Sequence, residues 1–179
     1  NEDNYIAQKF ARKIMNSNNV DVVSNINHEL TGPLQKMIGM QAATGNIWQV
    51  LKSESILLVS SNITEEQNVS SVPIKQAVAK GANLVVIDQR ETELTRCATK
   101  WLRPKIGTEV ALIGALVKTI IDESIEKHDF ITENCVDFEA FRNSIWEYDQ
   151  SKVSAVTGIP QEDIRDAARL IGGASSASI

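Results

Sequence analysis

The sequence predicts an α/β fold with a mainly parallel sheet that is flanked by helices. Two short apolar runs, 55–60 and 83–88, lack helical spacing and are typical of buried strands. Residues 66–80 carry apolar side chains at helical spacing, and Gly81 follows as a residue suited to a helix end. Two buried strands joined by one helix form a right-handed βαβ unit, so we expect the two strands to run parallel.

The elements outside this unit extend it in both directions. They are expected as helices at 4–15, 34–40 and 47–51, a strand at 100–103, helices at 108–121, 137–146 and 160–173, and a strand that begins at 176. We therefore predict one three-layer, Rossmann-like α/β domain over residues 1–179. Its core βαβ unit occupies 54–90, and a helical portion occupies 108–173.

Two helices carry more detailed expectations. Pro73 should kink or restart the helix at 66–80, because proline removes a helical hydrogen bond. Thr108 is a residue type suited to an N-cap, and Glu109 lies well for the helix dipole. The buried stripe of this second helix is predicted to consist of Val110, Ile113, Leu116, Val117, Ile120 and Ile121.

Composition argues against several classes of partner. The net charge is −5 and the sequence has no cluster of Lys and Arg, so we expect neither nucleic acid nor an anionic membrane surface as a partner. We find no spanning segment or signal peptide, which argues against direct membrane insertion. Cys97 and Cys135 lack metal-type spacing, and two free thiols in a reducing compartment are the simplest reading, although they could also pair. We expect a cytoplasmic protein, or a periplasmic type whose signal lies outside this segment.

Polar side chains cluster where the two predicted strands end. In parallel sheets, ligands bind outside the carboxyl ends of the strands. Asp88 can accept hydrogen bonds from two ribose hydroxyls, and we expect its carboxylate to be solvated when no ligand is bound. Arg90 can pair with a phosphate or stack on a flat ring. Free backbone N–H groups near Thr64 and Glu65 would suit a phosphate. The alternative is that these are ordinary strand-end residues, since the glycine fingerprint of dinucleotide sites is missing.

Metal and nucleophile signatures are absent from the sequence. The two histidines, His28 and His128, belong to no metal-binding spacing, and there is neither a Cys-x-x-Cys motif nor a nucleophile elbow. Neighbouring carboxylates occur at helix starts, where the helix dipole and solvent account for them. From the residues alone we therefore predict no metal site in this segment.

A resemblance to a known family extends this interpretation. The segments 59–65 (VSSNITE), 81–94 (GANLVVIDQRETEL), 104–112 (PKIGTEVAL) and 157–164 (TGIPQEDI) occur in the same order as the motifs of molybdopterin oxidoreductases. They are most similar to the catalytic (alpha) subunits of formate dehydrogenases. The resemblance covers nearly all of the 179 residues. The family's four-cysteine cluster domain and its terminal pterin-covering barrel have no counterpart in this sequence, so we expect an internal piece of a larger protein.

The resemblance implies a cofactor and a set of residues that hold it. The cofactor is molybdopterin guanine dinucleotide with Mo or W. The residues at positions that hold one guanosine diphosphate portion are Asn62, Glu65, Asp88, Arg90, Gly107, Thr108 and Glu109. The implied parent is an oxidoreductase with further domains, a 4Fe-4S cluster outside this segment and electron-transfer subunits as partners. The isolated segment is expected to be inactive.

Three departures from the family pattern keep a second interpretation open. Gln89 stands where the family has proline, and Ser60 stands where its first turn has glycine. Formate dehydrogenases place Cys or selenocysteine directly before the active-site histidine, whereas here Asn27 precedes His28. A neutral amide is a poor ligand for a soft metal site, which puts the proton-relay role of His28 in doubt. The alternative is the large iron–sulfur subunit of NADH-quinone oxidoreductases, which kept the fold, lost the metal site and has a structural or electron-transfer role.

Overall fold

The computed structural model describes residues 2–20, 28–40 and 43–179. The chain divides into two compact units, Asn1–Gly45 and Asn46–Ile179. The second unit contains the predicted βαβ core and the whole of the sheet. The single domain expected over 1–179 stays a prediction.

The first unit contains two helices, α1 (Glu2–Lys13) and α2 (His28–Ile38). Helix α1 has acidic residues in its first turn and basic residues in its last, an arrangement that favours the helix dipole. No residue of α1 is buried. The helices expected at 4–15 and 34–40 are therefore present, and each begins earlier than the sequence suggested.

The second unit alternates strands and helices. Its elements in chain order are a 3-10 helix (Ile47–Lys52), β1 (Ser55–Val59), α3 (Ile63–Glu66), α4 (Asn68–Ala79), β2 (Asn83–Ile87), a second 3-10 helix (Leu94–Cys97), β3 (Lys100–Leu102), α5 (Glu109–Asp122), α6 (His128–Asn134), α7 (Phe138–Ser144), α8 (Gln150–Thr157), α9 (Gln161–Gly172) and β4 (Ala177–Ser178). Helix α5 has 14 residues. Within the described ranges, no helix combines the length and the apolar character needed to cross a membrane.

The four strands form one sheet in the order β3-β2-β1-β4, and every neighbouring pair is parallel. The register pairs Ser55 with Asn83 and Val59 with Ile87, so β1 and β2 begin and end level. The parallel βαβ unit predicted from the apolar runs is confirmed, as is the strand expected to begin near the end of the chain.

Each face of the sheet carries its own hydrophobic core. Successive side chains of a strand point to opposite faces, so neighbouring residues enter different cores. Leu57 and Val85 pack with residues of α5, α8 and α9, whereas Ile56 and Leu84 pack with α4. Helices therefore cover both faces, and the predicted three-layer α/β architecture is confirmed.

The helix between β1 and β2 is broken, but the break does not lie at Pro73. Gln67 has a non-helical backbone and separates α3 from α4. Its N–H caps α3 by donating to the Ile63 carbonyl, and its own carbonyl accepts from Ser70 at 2.9 Å. Pro73 is buried inside α4. Proline has no N–H to bond the carbonyl of Val69, four positions earlier. Val69 is exposed, so water can hydrogen-bond that carbonyl instead.

The buried stripe of α5 agrees only in part with the predicted one, of which Leu116 and Ile121 are buried. Its buried residues are Leu112, Ala115, Leu116, Thr119 and Ile121. Val110, which opened the predicted stripe, is 73% exposed. Both sets follow helical spacing, because the helix is apolar over most of its circumference. The choice between them depends on the direction from which α9 and α8 approach, which the spacing does not encode.

Thr108 occupies the N-cap position of α5 without making a side-chain cap. Its hydroxyl instead donates to the Lys105 carbonyl at 2.7 Å, and its backbone N–H bonds the same carbonyl at 3.1 Å. The position was predicted correctly, but the role of the hydroxyl was not. The tight turn that precedes the helix places the Lys105 carbonyl within hydrogen-bond distance of the hydroxyl, which therefore does not cap the helix.

Candidate functional site

Three strands end together at one edge of the sheet. The Ser60 N–H bonds the Ile87 carbonyl at 2.8 Å, and the Asp88 N–H bonds the Leu102 carbonyl at 3.2 Å. These contacts hold the segments that follow β1, β2 and β3 side by side. We call this group of segments the strand-end edge, and it contains residues 60–65, 88–90 and 103–109.

The first segment of the edge begins with a strained turn. Ser60 has a φ of 47°, in the left-handed region that favours glycine. This explains why the resembling family has glycine at this position. The turn leads to Asn62, whose side-chain oxygen accepts a hydrogen bond from the Thr64 hydroxyl at 3.0 Å. Asn62 is thus held at the edge by local contacts, and among the described residues its side chain makes no hydrogen bond to the Asp88 segment.

The phosphate position expected near Glu65 is weaker than the sequence suggested. Helix α3 has only 4 residues, so its dipole is small. The backbone N–H of Glu65 donates to the Asn62 carbonyl at 3.0 Å and is therefore not free for a ligand. The Glu65 side chain is exposed beside that of Glu66. Two carboxylates at this point would repel a phosphate.

Asp88 is buried, which corrects the expectation of a solvated carboxylate. Its side chain is enclosed at the end of β2, and the residue is 2% exposed. Oδ1 accepts the backbone N–H of Arg90 at 2.8 Å. Oδ2 is buried and has no hydrogen-bond partner among the residues that the structure describes. Burying a carboxylate oxygen without a hydrogen-bond donor costs free energy. Oδ2 is therefore an atom at which a donor is missing.

Arg90 follows directly and points its charge outward. Its side chain is 69% exposed, and its Nε lies 3.9 Å from Asp88 Oδ1. That separation is too long for a hydrogen bond, and the guanidinium end of the pair lies in solvent, which screens the attraction. The guanidinium is therefore placed to meet an anion or a flat ring that approaches the edge from solvent.

The third segment brings Glu109 to the same place. The Gln89 side-chain amide donates a hydrogen bond to Glu109 Oε1, which joins the start of α5 to the turn after β2. Gly107 has a φ of 81°, and a Cβ built there would meet nothing within 4 Å. Glycine is thus required by the backbone conformation, and the space beside it is open to a ligand.

Two residues that donate hydrogen bonds to the edge, Trp101 in β3 and Arg103, were not predicted as site residues. The indole N–H of Trp101 donates to the Asp88 carbonyl at 2.8 Å. The Nε–H of Arg103 donates to the Gln89 carbonyl at 2.8 Å, and its guanidinium lies 5.5 Å from the centroid of the Trp101 ring. The rule that selected Asp88, a polar residue just beyond a strand, also selects Arg103, although it was applied only to the first two strands.

The predicted catalytic residue is His28, which lies in the first unit. Helix α2 begins at His28, but Asn27 and the side chain of His28 lie outside the described residues. In the part of the chain that is described, no group of three or more His, Cys, Asp or Glu side chains could hold a metal ion. Cys97 and Cys135 are both free and exposed.

A cavity lies elsewhere in the second unit but is a poorer candidate. It measures about 410 Å³ and is formed by the second half of α5 and the starts of α8 and α9. Lys118 and Arg165 face Asp122 and Glu123 there, so charges of both signs already neutralise one another. The strand-end edge carries the stronger indication of a ligand, because Asp88 has an oxygen without a donor.

The fold and the edge together define a class. This is a three-layer α/β protein with a parallel sheet, whose polar site lies where the strands end. A family model described as molybdopterin oxidoreductase matches residues 1–153. The chain belongs to the molybdopterin oxidoreductase family.

Individual relatives agree with this assignment. The chain is 34% identical over 180 residues to the F420-dependent formate dehydrogenase subunit alpha of Methanocaldococcus jannaschii, and covers 27% of it. It is 30% identical over 183 residues to formate dehydrogenase H of Escherichia coli, and covers 25% of it. Both matches span 100% of the chain, which is thus about a quarter as long as these relatives.

A solved structure is also similar. The acetylene hydratase of Pelobacter acetylenicus superposes with a TM-score of 0.68 and 30% sequence identity. The match covers 74% of this chain and 20% of that protein. The expected resemblance to molybdopterin oxidoreductases, and to formate dehydrogenase alpha subunits within them, is confirmed.

Proposed function

We propose that this chain holds the guanosine diphosphate part of a molybdopterin guanine dinucleotide within a larger, formate dehydrogenase-like oxidoreductase. The observation that carries the proposal is Asp88 Oδ2, a buried carboxylate oxygen with no donor among the described residues. A ribose hydroxyl supplies the donor that this atom lacks. The cofactor therefore fits the chemistry of the residues at the strand-end edge.

Each side chain of the edge has a distinct part in this proposal. Asp88 accepts from the ribose, and Arg90, which is exposed and cationic, pairs with the diphosphate or stacks on the base. Glu109 presents an acceptor at the start of α5 for the N–H groups of guanine. Gly107 and Thr108 let the ligand come close to the backbone, and Asn62 lies at the neighbouring strand end.

In this proposal the redox reaction is carried out by the whole protein and not by this chain alone. When bound, the cofactor's Mo or W centre supplies the redox step, and this chain's residues bind and orient the nucleotide end. The relatives are about four times longer than the chain, and several are described as subunit alpha. We therefore propose that the 4Fe-4S cluster, the electron-transfer partners and the activity belong to the larger assembly, and that the chain alone is inactive.

Titration with GDP tests the binding proposal directly. The chain labelled with ¹⁵N should show chemical-shift changes at residues 88–90 and 107–109, with an affinity in the high micromolar range because only one wall of the site is present. ADP is the matched control, since it has the same ribose and diphosphate but lacks the guanine N–H groups that would donate hydrogen bonds to Glu109. An absence of shifts at millimolar GDP, or shifts only far from Asp88, would refute the proposal.

A second experiment addresses the catalytic centre, for which Asn27 is the decisive residue. In the sequence it stands where formate dehydrogenases have their Cys or selenocysteine ligand, so a vestigial relative without metal is the competing function. Elemental analysis of the whole protein separates the two, because only the oxidoreductase contains Mo or W. Asn27→Cys should then change the metal spectrum or the activity of a metal-bearing protein. Purified protein with neither metal would establish the competing function.

A further inference from the structure

The turn after β2 is fastened by side chains from the neighbouring strand. The carbonyl of Asp88 accepts the indole N–H of Trp101, and the next carbonyl, that of Gln89, accepts the Nε–H of Arg103, both at 2.8 Å. Trp101 lies within β3 and Arg103 follows it directly. Two consecutive peptide groups are thus held by two donors from one neighbouring strand.

The two donors are themselves held in place. Trp101 is partly buried and packs against the core on the α4 side of the sheet. The guanidinium of Arg103 lies over its ring at 5.5 Å from the centroid, a cation–π contact. Both donors are therefore ordered before a ligand binds, because core packing fixes the indole and the indole supports the guanidinium.

The orientation of the Asp88 carboxylate follows from this turn. Oδ1 is bonded at 2.8 Å to the N–H of Arg90, two residues further on. Any rotation of the peptide groups between these residues would move that N–H and turn the carboxylate with it. Gln89 also bonds Glu109 through its side-chain amide, so the same turn sets the second acceptor of the edge.

We propose that Trp101 and Arg103 are positioning residues for nucleotide binding, which hold the 88–90 turn, and with it the Asp88 carboxylate, in place before the ligand binds. This inference rests on the proposed nucleotide function. Fixing a site in its bound geometry improves affinity because less ordering is required on binding. Neither residue needs to touch the nucleotide.

The test compares GDP with 2′,3′-dideoxy-GDP, which lacks both ribose hydroxyls. The wild-type chain should bind GDP tighter by roughly tenfold or more, as a hydrogen bond to a charged acceptor predicts. Trp101→Phe keeps an aromatic side chain but removes the N–H donor together with the pyrrole part of the indole, and Arg103→Met removes the second donor. Each variant should weaken GDP binding at least about threefold and leave dideoxy-GDP binding nearly unchanged, so the preference falls toward one.

Matched controls remove the same groups elsewhere. Trp146→Phe removes an exposed indole N–H, and Arg96→Met removes an exposed guanidinium that pairs with Glu91. Both should retain the preference for GDP. Thermal melting of every variant identifies any that fail to fold, and the conservative Trp101→Phe then carries the test.

The outcomes separate the two proposals. Wild-type chain that binds GDP and dideoxy-GDP equally, or binds neither, overturns the ribose contact at Asp88 and the positioning role with it. A wild-type preference that both folded variants retain overturns only the positioning role. An equal loss of affinity for both nucleotides also overturns it, because a purely structural role lowers both together.

Discussion

Replacing Asp88 with Asn should make the chain more stable and a poorer nucleotide binder. In the ligand-free protein the carboxylate is buried, one oxygen bonds the Arg90 N–H at 2.8 Å and the other has no donor in the described structure. Asn keeps the shape and the bonded carbonyl oxygen but removes the charge. Functional sites often carry such a conflict between stability and activity.

The magnitude follows from opposing contributions. The bond to the Arg90 N–H weakens from the range of charged acceptors, about 1.5–3 kcal/mol, to that of neutral ones, about 0.5–1.5 kcal/mol. The ion pair with the largely exposed Arg90 side chain, at 3.9 Å, adds at most about 1 kcal/mol to the loss. Against these, the desolvation penalty of a buried ion, several kcal/mol, is removed. The amide N–H groups that replace Oδ2 are themselves buried donors, and leaving them unpaired costs about 1–3 kcal/mol. We expect a net stabilisation of roughly 1 kcal/mol.

Urea unfolding followed by circular dichroism measures this change. With a slope of about 2 kcal/mol per molar urea, the midpoint of Asp88→Asn should rise by roughly 0.5 M. Asp88→Ala also loses the acceptor for the Arg90 N–H and should lie about 1 kcal/mol below the Asn variant. Both variants should bind GDP about 1.5–3 kcal/mol more weakly than wild type. A lower midpoint for Asp88→Asn than for wild type would show that the carboxylate charge stabilises the fold, and would refute the reasoning.

Further predictions concern packing, pH and backbone strain. Gly114→Ala should cost about 1–3 kcal/mol in urea unfolding, because its Cβ would lie 2.6 Å from the Tyr148 ring. Hydrogen bonds from the Ser175 hydroxyl and N–H lower the pKa of Glu54 below 4.5, so its contribution to stability is present above that pH and is lost as the pH falls through the lowered pKa. Thermal melting from neutral pH into this range should therefore decline more steeply for wild type than for Glu54→Gln. Ser60→Gly should raise the free energy of unfolding by about 1 kcal/mol, because it relieves a left-handed backbone.

Each of these changes has a control or a contrary outcome. Gly32→Ala, in α2, meets nothing within 4 Å and should not be destabilising, so equal losses at both glycines would contradict the steric explanation. Parallel acid profiles for wild type and Glu54→Gln would mean that the bonds to Ser175 do not form in solution. A destabilised Ser60→Gly would indicate that the serine side chain makes a contact worth more than the strain.

The sheet was predictable because its signals are local. The run at 83–88 is apolar, short and bounded by Gly81 and Arg90, and only a buried strand suits those properties. The final helix was equally clear, since Pro160 precedes it and Gly172 ends it. Such elements are set by residues a few positions apart, and tertiary packing only confirms them.

The environment of the edge was less predictable because it depends on distant contacts. Asp88 is a strand-end acid, a position that is commonly solvated, yet it is buried here, and the indole of Trp101 bonds its backbone carbonyl. The bond between Gln89 and Glu109 joins residues 20 positions apart, and it exists only because α5 begins beside the end of β2. The sequence identified the segments that form the strand-end edge. The hydrogen-bond partner of each side chain depends on how the helices and strands pack against one another.

The loop from Arg103 to Thr108 has a further consequence for how this chain can vary. It is fastened at its start to the Gln89 carbonyl, in its middle by the Lys105 N–H to the Thr157 carbonyl at 3.0 Å, and at its end by the Thr108 hydroxyl. Inserting or deleting one residue would break at least one of these attachments. Ile106, in contrast, is 86% exposed and can change in identity. In this chain, substitutions of Ile106 should therefore leave the loop in place, whereas a change in the number of its residues should displace Arg103 or Lys105 from its carbonyl partner.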